Sequence, residues 1–89
     1  MKCCEEVIVT LRLPWLEQEL DMELPSFMPM KELTGKLLET FRLMMPDGFV
    51  GVRNIGLIHE RRQLENEETL GRAGVWDGSV LTILRIRGE

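Results

Sequence analysis

Apolar and polar residues alternate strictly from Val7 to Leu13. Val7, Val9, Leu11 and Leu13 fall on one side, and Ile8, Thr10 and Arg12 on the other. A period of two in a β-branched stretch predicts a half-buried strand. Pro14-Trp15-Leu16-Glu17-Gln18 interrupts it, because proline cannot donate to a strand ladder. The alternation resumes over Glu19–Leu24, with Leu20, Met22 and Leu24 inward and Glu19, Asp21 and Glu23 outward, so the first 24 residues predict a hairpin. Pro29 suits the opening of a helix, where a missing N–H is not needed. From there Met30, Leu33, Leu37, Leu38, Phe41, Met44 and Met45 recur at steps of three and four, one apolar helical face. Lys31, Glu32, Lys36, Glu39 and Arg42 take the other face. Pro46-Asp47-Gly48 ends the helix. A third strand is expected over Arg53–Glu60, with Ile55, Leu57 and His59 in one phase and Gly56 and Ile58 in the other. A very short strand follows at Arg62–Leu64, then a polar loop in which Leu70 plugs the core. The last strand, Ser79–Ile86, buries Leu81 and Ile83. Phe27 and Met28, between hairpin and helix, fit either as cover for a sheet edge or as surface.

This order of elements, with one helix among several strands, gives an α+β domain. The chain of 89 residues has room for one domain (1–89), and buries roughly 60–65% of its unfolded surface. Residues 1–52 carry nine acids against five bases, and residues 53–89 carry six of each, for a net charge of −4. A nucleic-acid binder would show a basic stripe and a high pI, so nucleic acid is not an expected partner. Met1-Lys2 leads directly into Cys3-Cys4 with no apolar stretch typical of a signal peptide. No apolar run nears the ~20 residues of a membrane span. A cytoplasmic protein without direct membrane insertion is therefore expected. Adjacent cysteines bridge only with strain, and neither a histidine nor a third cysteine lies at ligand spacing from Cys3 and Cys4, so no metal site is expected.

Catalysis has little to build on. The one histidine, His59, shares its strand phase with Ile55 and Leu57 and reads as a packing residue. No serine or cysteine nucleophile lies near it in sequence. Glu19, Asp21 and Glu23 fall on the outer side of an expected edge strand, where charges discourage edge-to-edge aggregation. Gly71, Gly74 and Gly78 lack the spacing of a phosphate-binding loop. No catalytic residue, cofactor or metal ligand is assigned.

The segment Arg61–Gly88 resembles the closing stretch of ubiquitin: Gln63-Leu64-Glu65, then Thr69-Leu70, then an apolar strand running into Leu84-Arg85-Ile86-Arg87-Gly88. Three segments are similar to the bacterial YukD/EsaB type of ubiquitin-like protein: Leu20–Leu24 with Pro29-Met30, Gly51-Val52-Arg53-Asn54, and Thr69–Leu81. The last fits the pattern Leu-x-x-x-Gly-[Ile/Val]-x-x-Gly-[Asp/Ser]-x-Leu through Leu70, Gly74, Val75, Gly78, Ser79 and Leu81. The resemblance implies a β-grasp fold, a mixed sheet of four to five strands crossed by one long helix, with the first and last strands parallel at its centre. Residues 85–89 are expected to form a flexible tail. It also implies a cytosolic accessory or regulatory part of a type VII secretion system, docking on its machinery, with room for weak self-association.

A covalent modifier or sulfur carrier is the alternative. Both chemistries need an activated diglycine carboxylate, and Gly88-Glu89 stands where the diglycine would be. A module that works by protein contact is therefore the expected function. Carrying the partner-binding patch of ubiquitin over by strand phase places it at Trp15 or Leu16, Ile58 and Leu84, rimmed by Arg12, Arg53 and Arg85.

Overall fold

The computed structural model describes residues 6–87. Strand β1 (Glu6–Leu13) turns through a short 3₁₀ segment, Pro14–Leu16, into β2 (Gln18–Pro25). Helix α1 (Met30–Met44) follows, then a second 3₁₀ turn at Pro46–Phe49. Strands β3 (Val52–His59), β4 (Arg62–Gln63) and β5 (Val80–Arg87) complete the chain. The sheet order is β2-β1-β5-β3-β4, with β1 and β5 parallel and the other pairs antiparallel. This is the β-grasp plan that the family resemblance implied.

The alternation seen in the sequence sorts each strand as predicted. Val7, Val9, Leu11 and Leu13 are buried, as are Leu24, Ile55, Leu57, Leu81 and Ile83, against Met30, Leu33, Leu37, Leu38 and Phe41 of α1. Leu70 is fully enclosed and does plug the core. Met28 packs against that core, whereas Phe27 lies at the surface.

Pro29 caps α1 with no side-chain hydrogen bond, so the free N–H groups of the first turn need other acceptors. They find them in the polar loop: Met30 N–H donates to the Glu68 carbonyl (2.8 Å) and Lys31 N–H to the Asn66 carbonyl (3.1 Å). That loop is held in turn by Arg62, whose two terminal nitrogens reach both Glu68 carboxylate oxygens at 2.9 and 2.8 Å. The Arg62 hydrogen bonds, joined by one from the Glu65 N–H, lower the Glu68 pKa to about 2. A folded-state pKa below the ordinary carboxylate value means that this arrangement stabilises the fold at neutral pH. The contribution fades as the pH falls from the ordinary range near 4.5 toward about 2. A carboxylate-detected NMR titration should place the Glu68 midpoint near 2, and Arg62→Ala should return it toward the usual range. A wild-type midpoint in that usual range would refute the assignment.

Two features depart from the sequence pattern at the other end of α1. Met44, expected on the core face, is more than half exposed. The chain leaves the helical path at Met45 (φ −140°), and Phe49 from the following turn fills the space instead, stacked on Phe41 at 5.2 Å. Arg85 to Arg87, expected in a flexible tail, belong to β5: Arg85 pairs with Ile55, Ile86 with Asn54 and Arg87 with Val52. Backbone pairing outlasts the buried face here because β3 supplies partners up to its own first residue. Cys3, Cys4, Gly88 and Glu89 lie outside the described residues.

Candidate protein-binding face

The register defines what the sheet shows on the side away from α1. On β1 and β2, Thr10 faces Asp21 and Arg12 faces Glu19 across the ladder. Both pairs are closed: the Thr10 hydroxyl donates to Asp21 Oδ1 at 2.8 Å, and Arg12 Nε donates to Glu19 Oε2 at 2.8 Å. These pairs, with Glu23 opposite Ile8, make the β2 side of the face polar, as suits an edge strand.

The other half is apolar. Val80, Thr82, Leu84 and Ile86 follow one another along β5, and Ile58 and Gly56 lie beside them on β3, with Thr82 opposite Ile58 and Leu84 opposite Gly56. Val80, Leu84 and Ile86 are each exposed, Ile58 is half-buried, and Ile8 extends the stripe over β1. Gly56 is roofed by the Gln63 amide, since a Cβ there would lie 2.8 Å from Gln63 Nε2. The central strand of a sheet thus presents an apolar row to solvent, bordered on one side by the Arg12–Glu19 pair.

Of the residues named from the sequence, Ile58 and Leu84 come together on this face with Arg12 near its edge. Trp15 and Leu16 do not join them. Trp15 Nε1 donates to the Gly48 carbonyl at 2.9 Å, its ring meets Phe49 edge-on at 5.3 Å, and the Arg85 guanidinium lies 4.4 Å above it. Leu16 packs under Gly48, where a Cβ would meet Leu16 Cδ1 at 2.8 Å. These two residues tie the β1–β2 turn to the turn after α1, so they face the interior side of the domain end. Arg85 goes with them as the cation over Trp15, and Arg53 is exposed at the start of β3. Ile8, Val80 and Ile86 were missed, although the alternation that buried Leu81 and Ile83 already placed Val80 and Ile86 in the opposite phase.

The glycine-containing turn before β5 has a structural task. Asp77 Oδ1 accepts the Ile8 N–H at 2.9 Å and Gly78 N–H donates to the Ile8 carbonyl at 2.8 Å, so the turn clasps both backbone groups of one β1 residue. Gly74 (φ 81°) and Gly78 (φ 90°) take left-handed conformations that suit glycine. His59 is largely enclosed, its Nε2 4.0 Å from Glu60. The Ser79 hydroxyl, lining the same shallow cleft, accepts the Trp76 N–H at 2.9 Å. Among the described residues no three acidic, histidine or cysteine side chains converge as a metal cage would require. None of the described helices is long and apolar enough to cross a membrane.

The family model for YukD, a protein of the WXG100 protein secretion system, matches residues 7–83. The chain belongs to the YukD family. The motif that carried the resemblance is the turn that clasps Ile8, which explains why it marks the fold as strongly as the family. No curated protein matches the chain. Among solved structures, the ubiquitin-like domain of the Mycobacterium tuberculosis type VII secretion system protein ECCD1 aligns with a TM-score of 0.71 at 21% identity, over 89% of this chain and 97% of that one. A chain of the MycP5-free ESX-5 inner membrane complex gives a TM-score of 0.73 at 19% identity, over 96% of this chain and 22% of the other. A protein designed on ubiquitin gives 0.65 at 15% identity, over 96% and 94%. These likenesses establish a ubiquitin-like fold for this YukD-family chain.

Proposed function

We propose that this YukD-family protein is a non-catalytic adaptor of a type VII secretion system, acting in the cytoplasm by presenting the outer face of β5 and β3 to a protein of the secretion machinery. The observation that carries the reading is the apolar row Val80, Leu84 and Ile86 with Ile58, left open at the centre of a sheet whose β1–β2 half carries the Thr10–Asp21 and Arg12–Glu19 pairs. An apolar centre with a polar border is the anatomy of a protein-protein contact. The family's secretion role and the likeness to domains of secretion components point to the class of partner.

Leu84→Asp tests the proposal more cleanly than a change at Ile58, which is half-buried and would disturb the fold. In affinity capture from cells with an intact secretion system, the variant should lose at least about tenfold of the partner, the scale of a hot-spot residue. Its melting temperature should stay close to wild type. Undiminished capture by a folded Leu84→Asp protein would reject this face as the contact.

A further inference from the structure

A second feature lies apart from that face, where α1 ends and β3 begins. We propose that this end docks peripherally on an anionic bilayer surface, its apolar side chains entering the headgroup region and its arginines meeting lipid phosphate. Leu43 is 86% exposed, Val50 70% and Met44 54%, and all three fall within eight residues of chain. The Arg42 guanidinium donates to the Val52 carbonyl and closes this stretch into a loop, so the three side chains sit on one clasped segment. Arg87 Nη1 reaches the Val50 carbonyl of the same loop at 3.3 Å. Arg85 lies over Trp15, which itself bonds to Gly48. Arg53 is exposed just beyond.

Charge and shape together favour a bilayer. Arg42, Arg53, Arg85 and Arg87 form no ion pair with a carboxylate among the described residues, whose ion pairs involve Arg12, Lys31, His59 and Arg62. Between Arg42 and Arg53 the one acid is Asp47. Two arginines donate to main-chain carbonyls, which leaves their charge uncompensated and holds them beside the apolar residues. An acidic protein segment would meet the same charge, but it would need a groove for its side chains. Three clefts, along the β1–β2 turn, beside Trp76 and beside His59, are lined by other residues, and none includes Leu43, Met44 or Val50. Exposed aliphatic groups on a loop that Arg42 and Arg87 bond to match an interface of acyl chains and phosphates. The contact is peripheral, and it adds a membrane surface to the contacts expected from the sequence.

Co-sedimentation of the full chain with vesicles tests this. A protein of net charge −4 has no general attraction to anionic lipid, so any binding must come from a local surface. The chain should sediment with vesicles of equal parts phosphatidylglycerol and phosphatidylethanolamine, should not sediment with phosphatidylcholine alone, and should be released by high salt. Leu43→Asn with Val50→Asn should weaken partitioning about tenfold. Arg53→Gln should weaken it about fivefold, the share of one cation near an anionic surface. All three positions are exposed, so circular dichroism and melting should be unchanged. Failure to sediment with the anionic vesicles, or sedimentation that the variants do not alter, would overturn the proposal. Binding to a soluble glutamate-rich peptide but not to vesicles would also overturn it, in favour of an acidic protein segment. None of these outcomes bears on Leu84, so the two contacts are tested separately.

Discussion

Phe41→Ala should lower the unfolding free energy by about 3–5 kcal/mol, read as a shift in the urea midpoint with the slope unchanged. Phe41 is fully enclosed, at the point where α1 crosses the sheet, and its ring stacks on Phe49 at 5.2 Å with 17° between planes. Truncation removes the transfer energy of a whole ring and leaves a cavity that neither neighbour can fill. Phe49 is held from its other side by Trp15, and the helix is pinned at its start by the Met30 and Lys31 hydrogen bonds to the 66–68 loop. Small domains have roughly 5–15 kcal/mol in total, so this change should bring the protein close to unfolding at body temperature. A loss below about 0.5 kcal/mol would mean that the helix does not pack by this face. Leu37, on the same face, should behave in the same direction, with a cost of about 2–5 kcal/mol on truncation to Ala.

The second large effect is expected at Trp15, for a reason opposite to the one its sequence position suggests. Trp15→Ala removes the edge contact to Phe49, the hydrogen bond to Gly48 and the seat of the Arg85 guanidinium. Because the ring is only half-buried, the cost should be about 2–4 kcal/mol, somewhat below a full core truncation. Trp15→Phe keeps the ring contacts and loses the hydrogen bond, so it should cost about 1 kcal/mol. Neither change should weaken partner capture once measured on folded protein. A Trp15→Phe protein of near-native stability that fails to capture its partner would return Trp15 to the binding face.

Much of the fold could be read from periodicity because period two and period three-to-four are direct consequences of backbone geometry. Val7 to Leu13, Leu33 to Phe41, and Leu81 with Ile83 reveal which side of each element is buried without any knowledge of neighbours. The family resemblance added the parallel pairing of β1 with β5. Turn residues carry no such signal. Trp15, Leu16 and Phe49 are apolar residues in loops, and whether a loop residue is surface or anchor depends on which other loop meets it in space. Met44 shows the same limit from within a helix: its phase is right for burial, but the element beneath it is Phe49 from the next turn. The candidate face was half visible for a related reason. Strand phase placed Ile58 and Leu84 outward correctly, while Trp15 was carried over from a hairpin turn, where phase has no meaning. The order of β5 through Arg87 depends on how far β3 extends alongside it, which only pairing register reveals.

The central claim is that a secretion component binds the outer face of β5 and β3. A photoreactive amino acid placed at Leu84, in cells with an active secretion system, tests it most directly. Irradiation should join the chain to a protein of the secretion machinery, and the same probe at Glu39, on the exposed side of α1, should give no such adduct. Adducts confined to Glu39, or a Leu84 probe that joins the chain only to its own copies, would contradict the claim.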